Sequence, residues 1–132
     1  MRVLVLGATG NLGSRVLSAL LARGHVTVAF VRSPSKLPPQ ILKELAAVEC
    51  GDAKSASNIK RVVVKHSCDA IVNTAGLAAM APWGRSDLPA IVEAVVTAAI
   101  DVGHERRHPL RVWFLSGLGL LDIPRQKSRI VD

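Results

Sequence analysis

The sequence predicts an α/β protein: a doubly wound parallel sheet of about five strands in the order 3-2-1-4-5, in one domain over residues 1–132. Three observations carry that prediction. Short β-branched runs alternate with longer segments of helical periodicity along the whole chain, and the links between them are short. The strand-like runs are apolar with little alternation, as expected where helices cover both faces of a sheet. Hydrophobic residues make up 49% of the 132, yet aromatics only 3%, so the core has to be built from Val, Leu, Ile and Ala. A chain of this length forms a single domain, large enough for one buried core.

The first strand is "RVLVLG" (2–7), an apolar run that stops at Gly7. "LGSRVLSALLARG" (12–24) follows as a helix with Leu12, Val16, Leu17, Leu20 and Leu21 on one face and Gly24 as its stop. "HVTVAFVR" (25–32) is the second strand, "SPSKLPPQ" a turn-rich loop, and "ILKELAA" a short helix at most. "AVECGD" (47–52) is the third strand, and "SASNIKRVVVKHS" (55–67) a crossover helix that carries three consecutive valines. "DAIVNTAG" (69–76) is the fourth strand. After a Pro/Gly loop, Ser86 or Asp87 can cap a helix with Pro89 in its first turn, and Ile91, Val92, Val95, Val96, Ala99 and Ile100 form its apolar face. "RVWFLSG" (111–117) is the fifth strand. Parallel strands joined by helices imply right-handed crossovers.

Composition narrows the function. The formal net charge is +7, which raises polyanions as partners. The basic residues are scattered, apart from "HERRHPLR" (104–111) and "RQKSR" (125–129), and no aromatics interleave with them to stack on bases. Nucleic acid is therefore not an expected partner. Cys50 and Cys68 form no CxxC and are expected to be reduced, partly buried thiols. No signal peptide or membrane-spanning run is evident, and a cytoplasmic protein is expected.

The chemistry is concentrated at the start. Gly7, Gly10 and Gly13 follow the first strand in a G-x-x-G-x-x-G pattern and open the first helix. A strand, a glycine turn and a helix in succession present bare backbone N–H groups to an anion. Gly7 permits the tight turn, Gly10 lets a pyrophosphate approach the backbone, and Gly13 lets the helix pack closely on the strand. The helix N-terminus adds about 0.3–1 kcal/mol for a nearby anion. Thr9 and Asn11 can brace the turn or touch phosphate. The alternative is a glycine turn with no ligand.

At the end of the second strand, about 20 residues on, an NAD site carries Asp or Glu for the ribose hydroxyls. Arg32 stands there instead, with Ser33 and Lys36 behind it. A guanidinium fork suits a 2′-phosphate, so NADP(H) is favoured over NAD(H); an ordinary exposed arginine is the alternative. Asp52, followed by Ala53, can accept from an adenine amino group or cap the following turn. Thr74, Ala75 and Gly76 end the fourth strand with small side chains, where a cofactor can lie against the strand tips. Ser116 ends the fifth, near where a nicotinamide would sit.

Together, "GATGNLG", "VTVAFVRSPSKLP", "CGDA", "VNTAG" and "WFLSGLGLLDIP" resemble the atypical, NmrA-like branch of the short-chain dehydrogenase/reductase superfamily, and within it the NAD(P)H-dependent flavin or biliverdin reductase-like members. The resemblance covers essentially the whole chain. It implies a Rossmann-type fold in which Gly7, Thr9, Gly10, Asn11, Leu12 and Gly13 bind the pyrophosphate. It also implies that Arg32 meets the 2′-phosphate, Asp52 sits by adenine and Ser116 faces the nicotinamide, with an unknown small-molecule acceptor as the second partner.

Two departures matter. The superfamily's usual proton donor is a Tyr in a Y-x-x-x-K motif, and the chain contains no Tyr. Hydride transfer to a flavin-like or quinone-like acceptor survives this loss, as does NADP(H) sensing without turnover. The second departure is length: the sixth strand and substrate-binding portion of the family are expected to be absent, and an exposed sheet edge would favour a homodimer. An esterase reading of "FLSGLG" fails because Phe114 stands where the nucleophile elbow needs Gly. A metal site at His104 and His108 fails because the segment reads as a loop that cannot hold both rings.

Overall fold

The computed structural model describes residues 1–76 and 87–114. Five strands form one parallel sheet: β1 (Arg2–Leu6), β2 (Val26–Val31), β3 (Ala47–Cys50), β4 (Ala70–Asn73) and β5 (Arg111–Phe114), in the order β3-β2-β1-β4-β5. The Rossmann-type topology predicted from the sequence is therefore the one found. Val5 of β1 pairs with Ala29 on one side and Val72 on the other, and Leu6 with Phe30 and Asn73. The register brings the carboxyl ends of β1, β2 and β4 level, on the edge where ligands of such sheets bind.

The connections are α1 (Asn11–Ala22), a single 3-10 turn at Pro34–Lys36, α2 (Pro39–Glu44), α3 (Ala56–Lys65) and α4 (Leu88–Arg106). Because side chains alternate along a strand, β1 and β2 feed two cores. Leu4, Leu6, Val28 and Phe30 pack with Ile59, Val62 and Val63 of α3 and Val95 and Val102 of α4. Val3, Val5, Ala29 and Val31 pack on the other face with Leu17 of α1 and Leu37. Each such side chain, fully buried, contributes roughly 1.5–3 kcal/mol.

The elements match the sequence expectations with local differences. Leu17 is the fully buried residue of the α1 face; Val16, Leu20 and Leu21 are half-buried, and Leu12 is exposed. On α4 the buried stripe is Ile91, Ala94, Val95, Ala98 and Val102. Val96 and Ile100, expected on that face, are exposed. The helix has turned its alanines toward the sheet, which lets its backbone come close to α3. It also runs on through Arg106, so His104 is helical while His108 is not. The three-valine segment is helical, with Val62 and Val63 buried and Val64 exposed.

Polar contacts lock the end of the molecule opposite the strand tips. Arg106 donates to the carbonyls of Cys68 (2.6 Å) and Val63 (3.3 Å), and Arg2 Nε to that of His66 (2.6 Å). These cations gather carbonyls at and just beyond the end of α3, where Val63 O also accepts from Cys68 N at 3.0 Å. Cys68 is buried, and burial pushes its thiol up to about 11, whereas Cys50 is exposed rather than partly buried. At the β3 edge, Glu49 accepts from Lys65 Nζ (2.8 Å) and pairs with His66 Nε2 (2.8 Å), with Arg61 at 3.6 Å. Lys65 and His66 hold its carboxyl down at about 2.

Candidate functional site

Gly7 lies at the end of β1, beside β4, where the strand order changes direction. Its φ is +76°, in the left-handed region that glycine adopts without strain. A Cβ there would lie 2.6 Å from Ala75 N and 2.7 Å from the Thr74 carbonyl carbon, so the turn is pressed against the tip of β4. Thr74 fixes that tip: its N–H and its hydroxyl both donate to Leu6 O, at 3.0 and 2.6 Å. Gly10 N donates to Gly7 O at 3.0 Å, and Ser14 N to Gly10 O at 2.9 Å, which starts α1.

Gly13 then faces back onto this turn. A Cβ on it would overlap Gly7 O and come within 2.7 Å of Thr74 Oγ1. Gly10 differs: it is in extended conformation, and a Cβ would meet only Gly7 O, at 3.4 Å. Gly7 and Gly13 therefore serve internal packing, while Gly10 keeps the outer surface of the turn bare.

That outer surface consists of Thr9, Gly10, Asn11 and Leu12, all exposed. Asn11, Leu12 and Gly13 occupy the first three positions of α1, whose N–H groups have no carbonyl partner within a helix. No side chain caps them, and the first turn carries no acid. Helix α3 differs, because Ser55 Oγ accepts from Asn58 N at 3.3 Å. The bare start of α1 is suited to an anion.

The neighbouring strand tips complete the edge. Arg32 directly follows β2, is exposed, and its guanidinium makes no hydrogen bond or ion pair among the described residues. Ser33 opens the Pro34–Lys36 turn, with Lys36 N donating to Ser33 O at 3.1 Å, and the Lys36 ammonium is likewise exposed and unpaired. Beyond β3, Asp52 Oδ1 accepts from Lys54 N at 2.9 Å, so this carboxylate braces its own turn, one of the two roles open to it. Ala53 is half-buried against the core. Beyond β4, Ala75 is half-buried and Gly76, with φ +100°, is exposed. Ser116 lies outside the described residues.

Two positioning residues are not singled out from the sequence, although Asn73 lies within "VNTAG". Asn73, buried at the end of β4, accepts from Ala75 N at 3.1 Å, and Asn58 on α3 accepts from Asp52 N at 3.3 Å. The signal for Asn73 is a polar residue closing an apolar strand; Asn58 carries none beyond its place three residues after Ser55. Among the described residues, no three His, Cys, Asp or Glu side chains converge on a possible metal site. No described helix is long and apolar enough to cross a membrane.

A family model described as NAD(P)H-binding matches residues 7–127. A UDP-glucose 4-epimerase from Klebsiella pneumoniae is 32% identical over 87 residues, covering 61% of this chain and 62% of that protein. Among solved structures, an anaerobillin reductase from Escherichia coli O157:H7 is similar over 90% of this chain and 52% of its own, with TM-score 0.66 and 24% identity. A UDP-glucose 4-epimerase from Thermotoga maritima is similar over 90% and 38%, with TM-score 0.68 and 19% identity. The chain thus spans about half the length of the reductase and under two thirds of the curated epimerase.

Proposed function

The chain belongs to the NAD(P)H-binding family, and from that premise we propose that it is an NADP(H)-dependent reductase domain delivering hydride to a small flavin-like or quinone-like acceptor. The observation that carries this reading is the uncapped, acid-free start of α1 on a glycine turn at the β1–β4 junction, next to the unpaired Arg32.

The residues present fit such a cofactor. The N–H groups of Asn11, Leu12 and Gly13 would meet the pyrophosphate, with Thr9 beside them, and bare Gly10 leaves room for close approach. Arg32 would pair with the 2′-phosphate, supported by Ser33 and Lys36, which is why NADP(H) is preferred to NAD(H). Thr74, Ala75 and Gly76 would border the dinucleotide at the β4 tip. Asp52 and Ala53 would flank the adenine, the carboxylate through whatever acceptor capacity the Lys54 N–H leaves. When bound, the nicotinamide supplies the hydride. Ser116 at most hydrogen-bonds the nicotinamide or the acceptor.

Hydride transfer to a flavin or quinone asks for no Tyr among these 132 residues, because the reduced acceptor takes its proton from water. The acceptor-binding surface and a homodimer that completes it belong to this proposal. The second reading is a regulator that binds NADP(H) without turnover, since the same cofactor-holding residues serve either role.

Calorimetric titration of NADP+ and NAD+ into the chain tests the cofactor site. NADP+ should bind more tightly, and Arg32→Ala should weaken it by about 10- to 100-fold, the loss of a charge-assisted pair, with NAD+ little changed. Absence of binding by either nucleotide would sink the reading. NADPH consumption with flavins and quinones then separates reductase from regulator.

A further inference from the structure

A groove of about 330 Å³ runs between α1 and the segment that follows the Pro34–Lys36 turn. Ala8 of the glycine turn closes one end, and Leu37 and Ile41 form the far wall. Arg15, on α1, is the single charged residue lining it. Ser14 and Ser18 also line it, but their hydroxyls donate within the helix, to Asn11 O at 3.1 Å and Ser14 O at 3.0 Å. The free side-chain donor in this otherwise apolar groove is therefore a guanidinium.

That guanidinium has no partner among the described residues, unlike those of Arg2, Arg61 and Arg106, which donate to carbonyls or pair with Glu49. Its own part of the chain offers none: residues 1–43 contain no Asp or Glu. Helical side chains lean toward the helix N-terminus, so Arg15 leans toward the glycine turn. Leu37, across the groove, directly follows Lys36 and lies five residues beyond Arg32. Among the described residues, three cations without partners thus stand on α1, directly after β2 and in the 3-10 turn, and of these Arg15 lines the groove.

We propose that Arg15 is a further specificity-determining residue, completing with Arg32 and Lys36 a three-cation clamp for the 2′-phosphate of NADP(H). The inference rests on the NADP(H) reading above but assigns a residue that no part of the glycine motif requires. Arg15 is exposed, and a guanidinium, more weakly hydrated than an ammonium, presents a planar fork that matches phosphate oxygens bidentately.

The test is calorimetric titration of NADP+, NAD+ and adenosine 2′,5′-bisphosphate into the chain and its Arg15→Gln, Arg15→Lys and Arg32→Ala variants, with Tm measured for each. Arg15→Gln should weaken NADP+ and the bisphosphate by about tenfold, leave NAD+ and Tm unchanged, and be partly rescued in Arg15→Lys. Equal weakening of both dinucleotides would overturn the assignment, because Arg15 would then act on the pyrophosphate or on α1 itself. Wild-type binding in Arg15→Gln, with NADP+ still lost in Arg32→Ala, would overturn it while leaving the cofactor reading intact. Failure of the unmodified chain to bind either dinucleotide would overturn both.

Discussion

At the scale of single residues, three glycines at equal spacing do different work, and the difference is measurable. Gly10→Ala places a methyl group outward in a backbone conformation any residue adopts, so stability should change by no more than about 1 kcal/mol. Nucleotide affinity should fall sharply, because the methyl occupies the approach to the turn. Gly13→Ala forces a methyl into Gly7 O and Thr74 Oγ1, so it should cost about 1–3 kcal/mol or more in urea unfolding. A Gly10→Ala variant that unfolds as easily as Gly13→Ala would contradict this division. The turn was legible because glycine at a strand-to-helix junction has few other uses. Asn58 was not legible, since its partner, the Asp52 N–H, lies six residues back and is brought near by the fold, whereas Asn73 accepts from Ala75 N only two residues on, a local bond.

At the scale of elements, periodicity found the α-helices among the described residues but misplaced the inward face of α4. That helix carries Ile, Val and Ala on too many sides for a pattern to select one. Packing selected the stripe with alanines, leaving Ile91 5% exposed and Ile100 51% exposed. The same substitution separates them: Ile91→Ala should cost about 2–5 kcal/mol in denaturant unfolding, and Ile100→Ala under about 0.5 kcal/mol. Helix α3 presents the opposite case. Its β-branched run lowers intrinsic helicity, and Ser55 at its start compensates by accepting from Asn58 N. Ser55→Ala should cost about 1 kcal/mol, visible as a lower urea midpoint.

At the scale of the whole molecule, the strand order was readable because apolar runs joined by short helical links leave few parallel-sheet topologies, and the glycine turn marks where the order reverses. Ser116, read from the sequence as the end of the fifth strand, lies outside the described residues. Stability toward acid belongs to this scale, since it depends on how the β3 edge is tied to α3. Lys65 and His66 hold the Glu49 carboxyl at about 2, below its ordinary 4.5. A lowered folded value means stabilisation that is fully present above about 4.5 and lost as pH falls through about 2. Unfolding measured across that window should show a smaller acid loss in Glu49→Gln than in the unaltered chain.

The two cysteines, finally, make the chain its own stopwatch. Cys50 is open to solvent, while Cys68 sits where Val63, Arg106 and the start of β4 meet, its thiol raised to about 11. An alkylating reagent at mildly alkaline pH will therefore count one fast thiol and one slow one. The slow count records how often this corner breathes, and comparing it with and without dinucleotide reads how far clamping one end of the sheet quiets the other.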